Sequence, residues 1–227
     1  ATNFQSNLVL NKGSEFTVIE ADEFDRSFLH LSPYASIITA ADPDHLDIYG
    51  TAEQFKEGFR QFAMKLDPNG ICLQKEGLNL QSLGKTFTYA VDSETADYAV
   101  TNFSWFDGFL CGDVRLKNSW WKEVKFGLPG IHNAENALAC IGLLHELGME
   151  EKTIREGLKN FRGVKRRFEY IIRTEKLVYV DDYAHHPEEI KALVSSIRLL
   201  YPGKKITGIF QPHLFSRTKD FADDFEK

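Results

Sequence analysis

Between Thr51 and Leu66 the apolar residues fall at Phe55, Phe59, Phe62, Ala63 and Leu66, the spacing of one face of a helix. Thr51 stands three residues before Gln54, the spacing of a capping box, and is expected to cap that helix. Phe16 to Glu20 (FTVIE) and Tyr34 to Thr39 (YASIIT) are short β-branched or aromatic runs followed by acidic residues, the pattern of strands buried on both faces. From Gly70 to Phe126 the pattern changes to GICLQ, KTFTYAV, DYAVTNFSWF, GFLCGDVRL and SWWKEVKF with turn residues between them. This predicts an antiparallel meander, with Asp107-Gly108 as a hairpin turn. Helical patterning returns from His132 to Leu147, ending at Gly148, and again from Glu150 to Asn160.

Phe161-Arg162-Gly163-Val164 reads as a linker. Beyond it RRFEYIIR and KLVYVDDY are expected as strands, followed by a helix after Pro187 with Ile190, Leu193, Val194 and Ile197 on one face. The strand KKITGIF and a helical segment from Ser216 complete the pattern. A strand, helix, strand order implies a parallel βαβ unit with a right-handed crossover. The expected fold class is α/β: a central unit over 1–160 with an added antiparallel meander, then a truncated Rossmann-like unit over 161–227. A last sheet this small is marginal as a core, so the chain is expected to end inside its last domain.

Composition narrows the function. The chain has 227 residues, of which 43% are apolar and 26% charged. Those are globular proportions and exclude collagen-like or disordered readings. No run approaches the length of a membrane span, and the polar start lacks the order of a signal peptide. Three widely spaced cysteines, Cys72, Cys111 and Cys140, fit neither a disulfide framework nor a zinc site, which favours the cytoplasm. A net charge of −6 disfavours a counterion-release grip on nucleic acid, so a bound nucleotide is expected to be small.

The densest acidic cluster, Glu20-Ala21-Asp22-Glu23-Phe24-Asp25, ends the first predicted strand, and Asp42-Pro43-Asp44-His45-Leu46-Asp47 follows the second. Adjacent parallel strands would bring Glu20 and His45 to one sheet edge, where Mg²⁺ with its oxygen ligands and waters could meet substrate phosphates; a solvated acidic loop is the alternative for the Glu20–Asp25 cluster standing alone. Gly84-Lys85-Thr86 mimics the end of a phosphate loop, but the required first glycine is Asn79 and a strand follows, so that reading is rejected. His132-Asn133-Ala134-Glu135-Asn136 opens a helix, and two amides three residues apart could bind a purine edge, or Asn133 could merely cap. Arg166-Arg167 could clamp phosphate oxygens or face solvent. Asp181-Asp182-Tyr183-Ala184-His185-His186-Pro187 lies between a strand end and a helix start. No third soft ligand for zinc accompanies its histidines, which favours a polar substrate or phosphate contact. Gln211-Pro212-His213, with Ser216-Arg217-Thr218, follows the next predicted strand; His213 is equally readable as a partly buried structural histidine.

Taken in order, VIEADEFDRSFLHL, TAADPDHLDIYG, LPGIHNAENA, FRGVKRRFE, VDDYAHHPEEI and FQPHLFSRT resemble the Mur ligase family. The resemblance implies an ATP-dependent amide ligase of peptidoglycan synthesis that joins L-alanine to UDP-N-acetylmuramate. ATP would phosphorylate the muramoyl carboxylate, and the alanine amine would displace the phosphate. It further implies Glu20 and His45 as Mg²⁺ ligands; His132, Asn133, Asn136, Arg167 and Asp182 as ATP contacts; and Tyr183, His185, His213 and Arg217 as substrate contacts. Arg167 and His185 would act in catalysis. Against the family pattern, the UDP-binding domain and phosphate loop are missing, and Leu214 replaces a frequent basic residue. The 227 residues alone are therefore expected to be inactive, and the remainder of the enzyme is an expected partner, with no nucleic acid or membrane among the partners. A ligase recycling murein tripeptide, a non-catalytic nucleotide-binding module, and an RNA-binding protein using Lys165-Arg166-Arg167 are the alternatives.

Overall fold

In the computed structural model, which describes residues 8–43, 46–106, 109–212 and 215–225, the main element is a six-stranded sheet. Its strands are β1 (Ala35–Ile38), β2 (Ile71–Lys75), β3 (Lys85–Val91), β4 (Tyr98–Phe106), β5 (Phe109–Leu116) and β6 (Ser119–Phe126), in that spatial order. β4, β5 and β6 pair antiparallel as the pattern predicts; the Asp107-Gly108 turn itself lies outside the described residues. The expected meander does not extend to the earlier strands, because β1–β2, β2–β3 and β3–β4 are parallel. The connections 76–84 and 92–97 carry the chain back along the sheet instead of turning it in a hairpin. β3 and β4 consequently share only Tyr89↔Tyr98, Ala90↔Ala99 and Val91↔Val100 as paired positions.

Two other expected strands form no ladder among the described residues. Phe16–Glu20 forms no regular element, with Val18 96% exposed, and its Phe16 ring lies 6.3 Å from that of Tyr34, the residue before β1. Residues 204–210 are likewise unpaired, with Ile209 97% exposed. The predicted parallel βαβ unit is therefore replaced by an antiparallel pair, β7 (Glu169–Arg173) with β8 (Val178–Asp181). An apolar run becomes a strand only when a neighbouring backbone supplies its hydrogen bonds.

The helices are α1 (Leu46–Tyr49), α2 (Ala52–Ala63), α3 (Ile131–Glu146), α4 (Glu151–Asn160), α5 (Pro187–Leu200), α6 (Phe215–Asp220) and α7 (Ala222–Phe225). α3 is followed by Gly148 at φ 80°, a left-handed conformation that favours glycine after a helix. The six-stranded sheet is covered on both faces. On one side α3 packs Ala134, Leu138 and Ile141 against Leu73, Tyr98 and Val100, with Ile154 of α4 in the same core. On the other, Phe62 and Ala63 of α2 pack with Phe28, Ile38, Leu66 and Cys72. Cys72 and Leu73 of β2 thus enter opposite cores, as side chains alternating along a strand must.

Thr51 Oγ1 accepts a hydrogen bond from the Gln54 N–H at 3.2 Å, as the spacing predicts. Thr51→Ala is expected to lower the unfolding free energy by about 1 kcal/mol. A lower urea midpoint with an unchanged slope would report the lost cap; an unchanged midpoint would assign the helix start to packing alone.

Candidate nucleotide and substrate site

The start of α3 and the loop between β8 and α5 bring most of the predicted site residues together. Lys85, from the rejected phosphate-loop match, instead begins β3, with its N–H donating to the Gly70 carbonyl at 2.9 Å. Gly130, at φ 99°, precedes α3. A Cβ there would lie 2.8 Å from His132 Cε1 and 2.9 Å from Ser196 Oγ, so only glycine fits this junction without movement. Asn133 Nδ2 donates to the Pro129 carbonyl at 2.7 Å and thereby ties the 128–130 loop to the helix. Asn136, one turn further along, is exposed.

The β8–α5 loop is held by its own acids. Asp182 Oδ2 accepts from the Phe168 N–H at 2.6 Å and Oδ1 from the Ala184 N–H at 2.8 Å, fastening the loop to the start of β7. The Tyr183 N–H donates to the Arg166 carbonyl at 2.7 Å, and the Arg166 guanidinium lies 4.7 Å above the Tyr183 ring. Glu189 accepts from the N–H groups of both His185 and His186, satisfying donors that a helix start leaves open. His185 Nδ1 is 2.7 Å from the Tyr183 carbonyl. A carbonyl only accepts, so Nδ1 carries the proton, and a neutral His185 ring keeps an acceptor at Nε2. Arg167 lies beside the same acid, with Nη1 3.9 Å from Glu189 Oε1.

The two segments meet at His132, whose Nδ1 is 3.3 Å from Ser196 Oγ on α5. Burial holds the His132 pKa below its ordinary 6.5; Asp182 opposes that shift and Arg167 adds to it. Burial thus favours the neutral ring, which feels the opposite charges of Asp182 and Arg167, two of the residues expected to contact nucleotide. Next to this junction a cavity of about 410 Å³ opens between the end of the β4–β5 pair and the linker. Trp105, Phe109, Phe161, Arg162, Arg167 and Tyr170 are among the residues lining it. Neither the cavity nor Ser196 was legible in the sequence, because each depends on surfaces joined from distant parts of the chain.

Other predicted residues are not gathered there. The contacts around Glu20 run to the short helical turn Ser27–His30 and to α1: Phe28 N–H and Ser27 Oγ both donate to the Asp22 carbonyl, and Tyr49 OH donates to the Glu23 carbonyl at 2.6 Å. Asp22 and Asp25 accept from the N–H groups of Phe24 and Ser27, so two members of the acidic cluster serve turns, while Glu20 remains exposed. Among the described residues no group of three or more His, Cys, Asp or Glu is placed to hold a metal. His45, His213 and Leu214 lie outside the described residues, as does the side chain of Arg217 on α6. No described helix is long and apolar enough to cross a membrane.

Comparison with known proteins supplies a context for this geometry. Residues 1–144 match the model of the Mur ligase middle domain, and residues 166–227 match that of the Mur ligase glutamate ligase domain. The chain is 45% identical to the UDP-N-acetylmuramate–L-alanine ligase of Parabacteroides distasonis, covering 98% of this chain and 49% of that protein. It is 46% identical to the ligase of the same name from Flavobacterium psychrophilum, covering 99% and 49%. It spans about half the length of these relatives. Among solved structures, the UDP-N-acetylmuramate-alanine ligase MurC of Thermotoga maritima is similar with a TM-score of 0.74 and 31% identity, over 88% of this chain and 46% of that one. The MurF ligase of the same organism, solved in complex with ADP, shares the fold with a TM-score of 0.68 at 19% identity, over 86% and 46%.

Proposed function

The chain belongs to the Mur ligase family, and from that premise we propose that it carries the ATP-binding unit and part of the substrate site of a cytoplasmic ligase. That ligase joins L-alanine to UDP-N-acetylmuramate. In this reading residues 1–160 are the central ATP-binding domain and 161–227 open the C-terminal ligase domain. The observation that carries it is the convergence of His132, Arg167 and Asp182 at one junction, in a chain with about 45% identity along its whole length to ligases of that name. Three widely spaced cysteines, Cys72, Cys111 and Cys140, make no disulfide framework in the sequence and agree with a reducing compartment.

In the proposed reaction the muramoyl carboxylate attacks the γ-phosphorus of ATP, giving an acyl phosphate and ADP. The alanine amine then adds to the acyl carbon, and phosphate leaves as the amide forms. Asn136 offers its exposed amide to the adenine edge, which accepts and donates at neighbouring atoms. Asn133, already committed to Pro129, shapes the loop that receives it. Arg167 stabilises negative charge on the transferring phosphoryl group, and its planar fork suits phosphate oxygens. Asp182 keeps Phe168 and Ala184 in register, so that Arg167, Tyr183 and His185 are presented together. Tyr183, His185, His213 and Arg217 are assigned to the muramoyl and alanine pocket. Mg²⁺, when bound, neutralises phosphate charge. The exposed Glu20 carboxylate fits a hard ion that keeps most of its waters and takes one or two protein ligands, with His45 as the second.

Asn136→Ala in the full-length ligase is expected to raise the ATP dissociation constant about 2- to 13-fold, the effect of losing one neutral hydrogen bond. The affinity for UDP-N-acetylmuramate is expected to stay unchanged. Calorimetric titration with each ligand checks this. An equal loss for both would assign Asn136 to folding and remove it from the adenine site.

A further inference from the structure

Ser196 sits on α5, and His132 on the first turn of α3, 64 positions earlier in the chain; the Ser196 hydroxyl makes two contacts. It lies 2.8 Å from the Ala192 carbonyl and 3.3 Å from His132 Nδ1. The hydroxyl has one proton, and a carbonyl has none to give. The proton therefore goes to Ala192, the shorter contact, and Ser196 Oγ can meet His132 only as an acceptor. Nδ1 must then be the protonated nitrogen. A neutral imidazole protonated at Nδ1 has its lone pair at Nε2.

The surroundings leave little room for another arrangement. Ser196 is 5% exposed, and Gly130 packs so close to the pair that a Cβ there would lie 2.9 Å from Ser196 Oγ and 3.1 Å from His132 Nδ1. The charged groups acting on the ring are Asp182 and Arg167 from the β8–α5 and β7 sides and Glu135 from its own helix.

We propose that Ser196 is a positioning residue for the nucleotide block: by accepting from Nδ1–H across the junction of α3 and α5, it fixes His132 in the tautomer that presents an acceptor at Nε2. The ligand group this nitrogen recognises is a hydrogen-bond donor, such as the exocyclic amine of a 6-aminopurine or a ribose hydroxyl. The consequence for ATP rests on the nucleotide reading above; the tautomer does not. Since the two partners come from different segments of the chain, the acceptor is held in place only while α3 and α5 are docked.

Two measurements on the full-length protein test this. In ¹⁵N-histidine spectra at pH 7.5, His132 is expected to show a protonated Nδ1 and an unprotonated Nε2, and Ser196→Ala is expected to shift it towards the Nε2–H form. A wild-type ring protonated at Nε2, whether neutral or cationic, overturns the proposal, as does a tautomer unmoved by Ser196→Ala in a variant that keeps its folded spectrum. In binding, Ser196→Ala is expected to weaken ATP about 2- to 13-fold. His132→Gln places an amide oxygen near the Nε2 position without needing Ser196, so adding Ser196→Ala to it is expected to cost nothing further. Additive losses in that cycle also overturn the proposal. If wild-type protein shows the expected tautomer but no ATP affinity, the nucleotide reading fails and the tautomer assignment stands.

Discussion

Phe28→Ala is expected to lower the unfolding free energy by about 3–5 kcal/mol, the range for removing a buried aromatic ring. Phe28 is 2% exposed, stacks on Phe62 at 5.1 Å and meets Phe59 edge-on at 5.4 Å. Ser27–His30 carries this ring into the core shared with Phe62, Ala63 and Leu66, so Phe28 is the fully buried side chain that ties the turn to α2. Alanine would leave a cavity bounded by helix and sheet that neither can fill without losing its own contacts. Total stabilities near 5–15 kcal/mol make a loss of this size a large share of the whole. Urea unfolding followed by near-ultraviolet absorbance or circular dichroism measures it. Val18→Ala, at a 96% exposed position, serves as the comparison and should stay within about 0.5 kcal/mol. A Phe28→Ala cost below about 1 kcal/mol would show that the turn is not part of the core.

If Arg167 clamps the transferring phosphoryl group as proposed, Arg167→Lys in the full-length protein is expected to reduce kcat/KM for the proposed ligation about 10- to 150-fold, because charge-assisted hydrogen bonds are worth about 1.5–3 kcal/mol and lysine keeps the charge but not the planar fork. Stability should hardly move. The Arg167 side chain is 59% exposed, and its ion pair with Glu189 is long at 3.9 Å, the kind that contributes little. Steady-state kinetics with ATP, alanine and muramoyl nucleotide varied in turn, together with a thermal melt, separate the two effects. Wild-type efficiency would remove Arg167 from the phosphate site. A matching fall in melting temperature would mean that it supports the β8–α5 loop through Glu189 instead.

Local patterns were read well where the physics is local. The α2 face, its Thr51 cap and the glycine after α3 each depend on residues within a turn or two, and each is found where the spacing put it. The candidate site was legible as ordered blocks, because Asn133, Arg167, Asp182 and His185 sit in runs that resemble those of the family. Their division of labour was not legible. Asp182 and Asn133 read equally well as ligand contacts, yet both are engaged with backbone groups whose positions the blocks do not encode.

Taken alone, then, the sequence determined the longer helices α2 to α5, which of their residues share a face, and which family motifs the chain carries, since periodicity and short-range capping are properties of neighbouring residues; the short turns Ser27–His30 and α1 carry no such pattern. Tertiary structure decided the rest. β2, β3 and β4 have the composition of strands whichever way they run, and only their pairing makes them parallel. Phe16–Glu20 and 204–210 are as strand-like in composition as β1, yet they stay unpaired among the described residues, because a ladder needs a second backbone at hydrogen-bonding distance. The tautomer of His132 turns on a serine 64 positions away, brought to 3.3 Å by the docking of α5 against α3; no rule of spacing reaches that far, because the contact exists only once the two surfaces have met.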